Sequence, residues 1–119
     1  MASSVTLRRT QMSYACWITM DCGGLSPLNL GLNHNVTFNL RPMFVKALGG
    51  EGIRDLGELQ CKDCIPLLLE GIESMMMEIH EYKELNPPNG WGNHRDALGT
   101  LETLLDYCKA APNATMHVQ

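Results

Sequence analysis

Residues 32–40, LNHNVTFNL, alternate with a period of two. Asn33, Asn35, Thr37 and Asn39 fall on one side, and His34, Val36, Phe38 and Leu40 on the other. A strand sends successive side chains to opposite faces, whereas a helix repeats about every 3.6 residues. The stretch therefore predicts a strand with one polar and one apolar face. Asn is disfavoured in strands, so a row of amides is an expensive way to be soluble. At every second residue, about 6.6–6.8 Å apart, the row offers donors and acceptors in a fixed array. Such an array suits a ribose, a base edge or a phosphate ester.

The rest of the chain divides around this strand. Tyr14–Met20, YACWITM, is aromatic and β-branched and stops at Asp21-Cys22-Gly23-Gly24, which predicts a second strand and a turn. Pro42 opens a short helix with Met43, Phe44, Ala47 and Leu48 on its apolar side, and Gly49-Gly50 end it. A loop over 51–60 turns Ile53, Leu56 and Leu59 inward. Over 62–85 the spacing of Ile65, Leu68, Leu69, Ile72, Met75, Met76 and Ile79 predicts a long helix with these residues inward. Glu70, Glu73, Glu78, Glu81 and Glu84 take its wet side, and Pro66 is expected in its first turn. After a Pro- and Gly-rich break, Asn93 is a natural N-cap for a helix over 94–110 that turns Leu98, Leu101, Leu104, Leu105 and Cys108 inward. Residues 114–118 alternate again and form a last strand pairing with the first two. Residues 1–11 are polar and aperiodic, a flexible extension with Met12 a plausible alternative start. The expected architecture over 12–119 is a single α+β domain. A small antiparallel sheet of about three strands packs against two longer helices and one short helix.

Charge and cysteine content narrow the function. Nine Lys and Arg against thirteen Asp and Glu leave the 119 residues at −4, which excludes a general duplex-nucleic-acid binder. No apolar run is long enough for a membrane span. Five cysteines, an odd number at irregular spacings, read as reduced thiols in a cytosol, and a cytoplasmic location follows. Cys61-Lys62-Asp63-Cys64 is a single CxxC without a second pair or spaced histidines. Structural zinc and thioredoxin-type chemistry are therefore not expected, and Cys64 reads as a small inward hydrophobe. No cofactor is implied. No nucleophile elbow, P-loop or HExxH is present. His34 and His94 are the acid–base candidates for a small hydrolase, the third of three readings.

Leu85-Asn86-Pro87-Pro88-Asn89-Gly90-Trp91-Gly92 asks for more than a turn requires. Flanking glycines let backbone approach a ligand closely, and the indole offers a stacking plate. The alternative is a rigid connector whose Trp91 plugs the core. Met75-Met76-Met77 is adaptable apolar surface, suited to the interface of a homo-oligomer.

Four segments carry a family resemblance. They are Asn35–Phe44 (NVTFNLRPMF), Cys64–Leu68 (CIPLL), Leu85–Gly92 and Asn113–Val118 (NATMHV). In order and spacing they resemble a family of small uncharacterised bacteriophage, prophage and actinobacterial proteins. The family pattern runs roughly N-x-T-x-N, then an Ala/Cys-Leu/Ile-Pro helix start, then N-P-x-N-G-W-G. The resemblance implies no activity. It implies a phage context, in a bacterial host cytosol, where small proteins often act by binding. The leading expectation is a non-enzymatic protein that captures a small nucleotide-like ligand and sequesters a host defence signal. Asn33, Asn35, Asn39, Asn89 and Asn93 would supply hydrogen bonds, Arg41 a phosphate partner and Trp91 a stacking surface. The second reading is a protein–protein module that blocks a host protein.

Overall fold

The aromatic, β-branched run becomes the centre of a sheet. In the computed structural model, which describes residues 13–20, 28–30, 34–88, 90 and 92–119, β1 spans Ser13–Met20. Tyr14, Cys16 and Ile18 are fully buried, while Ala15, Trp17 and Thr19 are half-buried, the two-residue period of a sheet covered on one face. β2 (Leu28–Asn29), β3 (His34–Thr37) and β4 (Thr115–Val118) all pair with β1, antiparallel. Cys16 lies between His34 and Val118, and Thr19 between Asn29 and Thr115. β4 therefore follows one edge of β1, and β2 and β3 occupy successive stretches of the other. The sheet is three strands wide at both levels, and with its helices the fold is α+β.

The strand expected over 32–40 is shorter than its alternation. It ends at Thr37, and Phe38–Leu40 form a 3-10 turn. Asn39 thereby leaves the polar row. The cause is close by, because Pro42 fixes the backbone for a helix and the chain must turn beforehand. Helix α1 spans Arg41–Leu48 with Pro42 in its first turn, and Gly49 closes it at φ 77°, where a side chain would be strained. A 3-10 segment over Gly52–Leu56 buries Ile53 and Leu56 in the stretch expected to be loop.

Helix α2 runs Cys61–Met77 and α3 Ile79–Lys83, separated at Glu78 (φ −115°, ψ 37°). The long helix expected over 62–85 is thus two. Pro66 sits in the second turn of α2 rather than the first, and there its missing N–H leaves the Lys62 carbonyl without its helical partner. The first turn is pinned instead by Cys61 N–H to the Ala114 carbonyl (2.7 Å) and Lys62 N–H to the Pro112 carbonyl (2.8 Å). The buried residues of α2 are Cys61, Cys64, Leu68, Gly71 and Met75. Leu69, Met76 and Ile79, expected inward, are 47%, 63% and 39% exposed. Gly71 explains the rotation. A Cβ there would lie 2.8 Å from Leu48 Cδ2 and 3.2 Å from Leu101 Cδ1, so α2 turns its smallest residue to its neighbours and swings Leu69 and Met76 outward.

Helix α4 spans His94–Ala110 and buries Leu101, Leu104, Leu105 and Cys108, with Leu98 half-buried. Asn93 caps it in a capping box, its side chain accepting from Arg95 N–H (2.8 Å) and Asp96 N–H (3.0 Å) while Asp96 accepts from Asn93 N–H (3.1 Å). The first turn of α2 and the last turn of α4 bring Cys61, Cys64 and Cys108 together in the core. A hydrogen bond to Cys64, then burial, pushes the Cys108 thiol up, and the same bond lowers Cys64. Residues 1–12, the turn at 21–24 and Leu32-Asn33 lie outside the described residues.

Candidate functional site

A groove of about 560 Å³ runs between β3 and the N-terminal half of α4. Its strand wall is His34, Asn35, Val36 and Thr37, and its helix wall is Arg95, Asp96, Gly99, Thr100 and Thr103, with Leu40 and Gly92 also in the lining. Four consecutive strand residues line it although their side chains alternate between faces. The groove therefore follows the edge of β3 rather than lying over either face. Val36 and Leu40 are almost wholly buried and make an apolar floor. The remaining walls are hydroxyl, amide, imidazole, guanidinium and carboxylate.

Of the four described residues anticipated as ligand contacts, two reach or border this groove. Asn35 lines it and is exposed, on the outer face opposite Ala15. Asn93 lies beside it, but its Oδ1 is committed to the helix cap. Asn39 turns back onto its own strand, where its Nδ2 donates to Thr37 Oγ1 (3.3 Å). Arg41 is ion-paired to Glu51 at 2.8 Å on the surface of α1, away from the groove lining. Asn33, Asn89 and Trp91 lie outside the described residues.

Sequence reasoning missed Arg95, Thr100 and Thr103. Arg95 is exposed, Thr103 half-buried and Thr100 buried on α4, and helical period does not show that these three polar residues share one wall. The one available signal is that Arg95 follows the capped Asn93 directly and so belongs to the same corner of the fold.

His34 and His94 sit in different places. His34 Nε2 is 3.4 Å from Thr100 Oγ1, and the Thr100 hydroxyl donates to the Asp96 carbonyl at 3.0 Å. With that proton committed, the imidazole donates from Nε2 and keeps Nδ1 as an acceptor. Burial holds the His34 pKa below its ordinary 6.5, so the ring is neutral at pH 7. His94 opens α4, its N–H donating to Asn86 Oδ1 at 2.8 Å. Burial, then Lys83 and Arg95, lowers its pKa. It lines a second cavity of about 280 Å³ with Met75, Met76, Ile79, Tyr82, Lys83, Arg95 and Leu98. Asn86 therefore ties the connector to the start of α4, which holds the helix wall of the groove in place.

A third polar cluster lies on the outer sheet face. His117 Nε2 is 2.7 Å from Thr19 Oγ1, its ring stacks on Trp17 at 5.3 Å, and Nδ1 is 3.5 Å from Glu58 Oε1. Trp17 and His117 are directly opposed across β1 and β4, which makes this a cross-strand tie. Among the described residues no group of three or more His, Cys, Asp or Glu could hold a metal ion. No helix among them is long and apolar enough to cross a membrane. No protein-family model, curated protein or solved structure matches the chain.

Proposed function

We propose that the protein is a non-enzymatic binding protein that captures a small polar, nucleotide-like ligand in the groove between β3 and α4. The observation that carries the reading is the groove itself, whose 560 Å³ falls within the range of small-molecule sites. The Asn35 amide and the hydroxyls of Thr37 and Thr103 suit the hydroxyls of a sugar. Arg95 takes over the phosphate role expected of Arg41, which is engaged with Glu51. The backbone donors of the α4 N-terminus are engaged by Asn93, so recognition of an anion rests on the Arg95 guanidinium. Asp96 beside it favours a ligand with few negative charges. The phage-family resemblance supports sequestration of a host defence nucleotide as the biological role.

A second reading, docking of a host protein, is favoured by the exposed apolar flank of α2 and α3. The hydrolase reading has His34 inside the groove and His94 in the neighbouring cavity. A thermal-shift screen of mono- and cyclic nucleotides tests the proposal. A ligand at a hundred times its Kd should add about 2.7 kcal/mol of stability, and Arg95→Ala should abolish the gain. Chromatography of the bound molecule should return it unchanged; recovery of a cleaved product would replace binding by hydrolysis. A panel without one stabilising compound would refute the proposal.

A further inference from the structure

The backbone of β3 faces the groove in a way the side chains do not reveal. Ala15 exchanges both of its backbone hydrogen bonds with Gln119 (2.8 and 2.9 Å), so its N–H and C=O point toward β4. Alternate residues of a strand point to opposite edges, so Tyr14, Cys16 and Ile18 point the other way. The 3.2 Å bond from Leu30 N–H to the Ile18 carbonyl has this phase. The hydrogen-bonded pairs between β1 and β3 are therefore Tyr14 with Val36 and Cys16 with His34. Asn35 then turns its N–H and C=O away from β1 toward the outer edge, as Thr37 does its N–H, while the Thr37 carbonyl closes the 3-10 turn over Phe38–Leu40. Among the described residues no strand pairs with that edge, and the groove runs along it.

An open edge is a row of donors and acceptors that pairs with whatever presents the complement. An added peptide strand needs several rungs. Here the regular edge ends at Thr37, where the chain enters its 3-10 turn. One complete donor–acceptor pair, that of Asn35, suits a small molecule instead. In extended backbone the N–H and C=O of one residue aim the same way, one donor beside one acceptor. We infer that the outer edge of β3, through the backbone N–H and C=O of Asn35, reads a planar heterocycle bearing an adjacent acceptor and donor, as a nucleobase does on its Watson–Crick edge. This rests on the binding reading above and adds the recognition element to it. The apolar floor of Val36 and Leu40 lies under such a ring, and Thr103 on the facing wall is left for the sugar.

The test compares nucleosides with their edge-methylated forms: uridine with N3-methyluridine, inosine with N1-methylinosine, adenosine with N6,N6-dimethyladenosine. For at least one pair, titration calorimetry should show binding of the parent nucleoside and at least about tenfold weaker binding of the methylated one, because a blocked donor leaves a carbonyl unpaired. Asn35→Pro, which deletes the edge N–H at a position where proline is tolerated, should lose at least about tenfold more affinity than Asn35→Ala, which keeps it. If the proline variant does not fold, the parent protein still decides the matter. The amide resonance of Asn35 should shift on adding the nucleoside, and its staying fixed would overturn the inference. Equal affinity within every pair would overturn it too, while leaving the groove a ligand site. Binding of an extended blocked peptide such as acetyl-Thr-Val-Thr-Val-amide, with no nucleoside binding, would make the edge a strand-addition site and overturn it. No binding by any nucleoside or nucleotide would remove both this inference and the reading it rests on.

Discussion

Gly92→Ala measures how tightly the connector is laid against the groove floor. Gly92 has φ +92°, and a Cβ built there would lie 3.1 Å from both Leu40 Cδ2 and Thr37 Cγ2. Two penalties combine. An L-residue in left-handed backbone costs about 1–2 kcal/mol, and overpacking against a well-packed neighbour adds about 1–3 kcal/mol. Gly90 separates the two, because it has φ +75° with nothing within 4 Å of the same virtual atom. Gly90→Ala should therefore carry only the first penalty. The gain from a stiffer unfolded chain, about 0.4–1 kcal/mol, applies to both variants and cancels in the difference. Urea denaturation should place Gly92→Ala about 1–3 kcal/mol below Gly90→Ala, and thermal melts should separate them by roughly 5–10 °C. If the two variants unfold together, the contact of Gly92 with Leu40 and Thr37 contributes nothing and the groove floor has been misjudged. Gly92→Ala unfolding with the parent would refute both penalties.

Asn93→Ala should cost about 0.5–2 kcal/mol in urea denaturation through loss of the cap, and Asn93→Ser should recover most of it. Stability should fall as pH drops below about 6.5. Burial lowers His34 and His94 in the fold, so the unfolded chain takes up more protons there and acid favours it. Melts between pH 5 and 8 should show this slope, and His34→Asn should make it shallower. Paired substitution of Leu69 and Met76 by Glu should leave the melting temperature nearly unchanged, because both are exposed. If their flank joins copies of the chain, light scattering should show the parent as an oligomer and this variant as a monomer.

The sheet was legible where burial is one-sided. Alternation around Val36 assigned faces correctly because the core decides them residue by residue, whereas the aromatic and β-branched content of Tyr14–Met20 predicted its strand and left its faces open. The same reasoning failed at Asn39, since a pattern of polar and apolar letters does not show where the backbone stops being extended. Only Pro42 hints at that. In α2 the spacing supports two apolar stripes, Cys61/Cys64/Leu68/Gly71/Met75 and Ile65/Leu69/Ile72/Met76. Period cannot choose between them. Close approach at Gly71 does, and it depends on Leu48 and Leu101, which are far away in sequence. The groove had the same difficulty: Asn35 and Thr37 were readable from one strand, but Arg95, Thr100 and Thr103 become its second wall only through tertiary packing.

The position of β4 has a kinetic consequence. Thr19 and His117, joined across the sheet, are 98 positions apart, and β1 is the strand with which every other described strand pairs. Bringing such distant segments together costs about 4 kcal/mol of chain entropy before any contact repays it. The helices need only local contacts and can form in advance, whereas the sheet waits for a long-range encounter. Until β4 arrives, one whole edge of β1 stands open with Cys16 and Ile18 beside it. The interval before closure is thus when this chain is most prone to pair with a neighbour instead of itself.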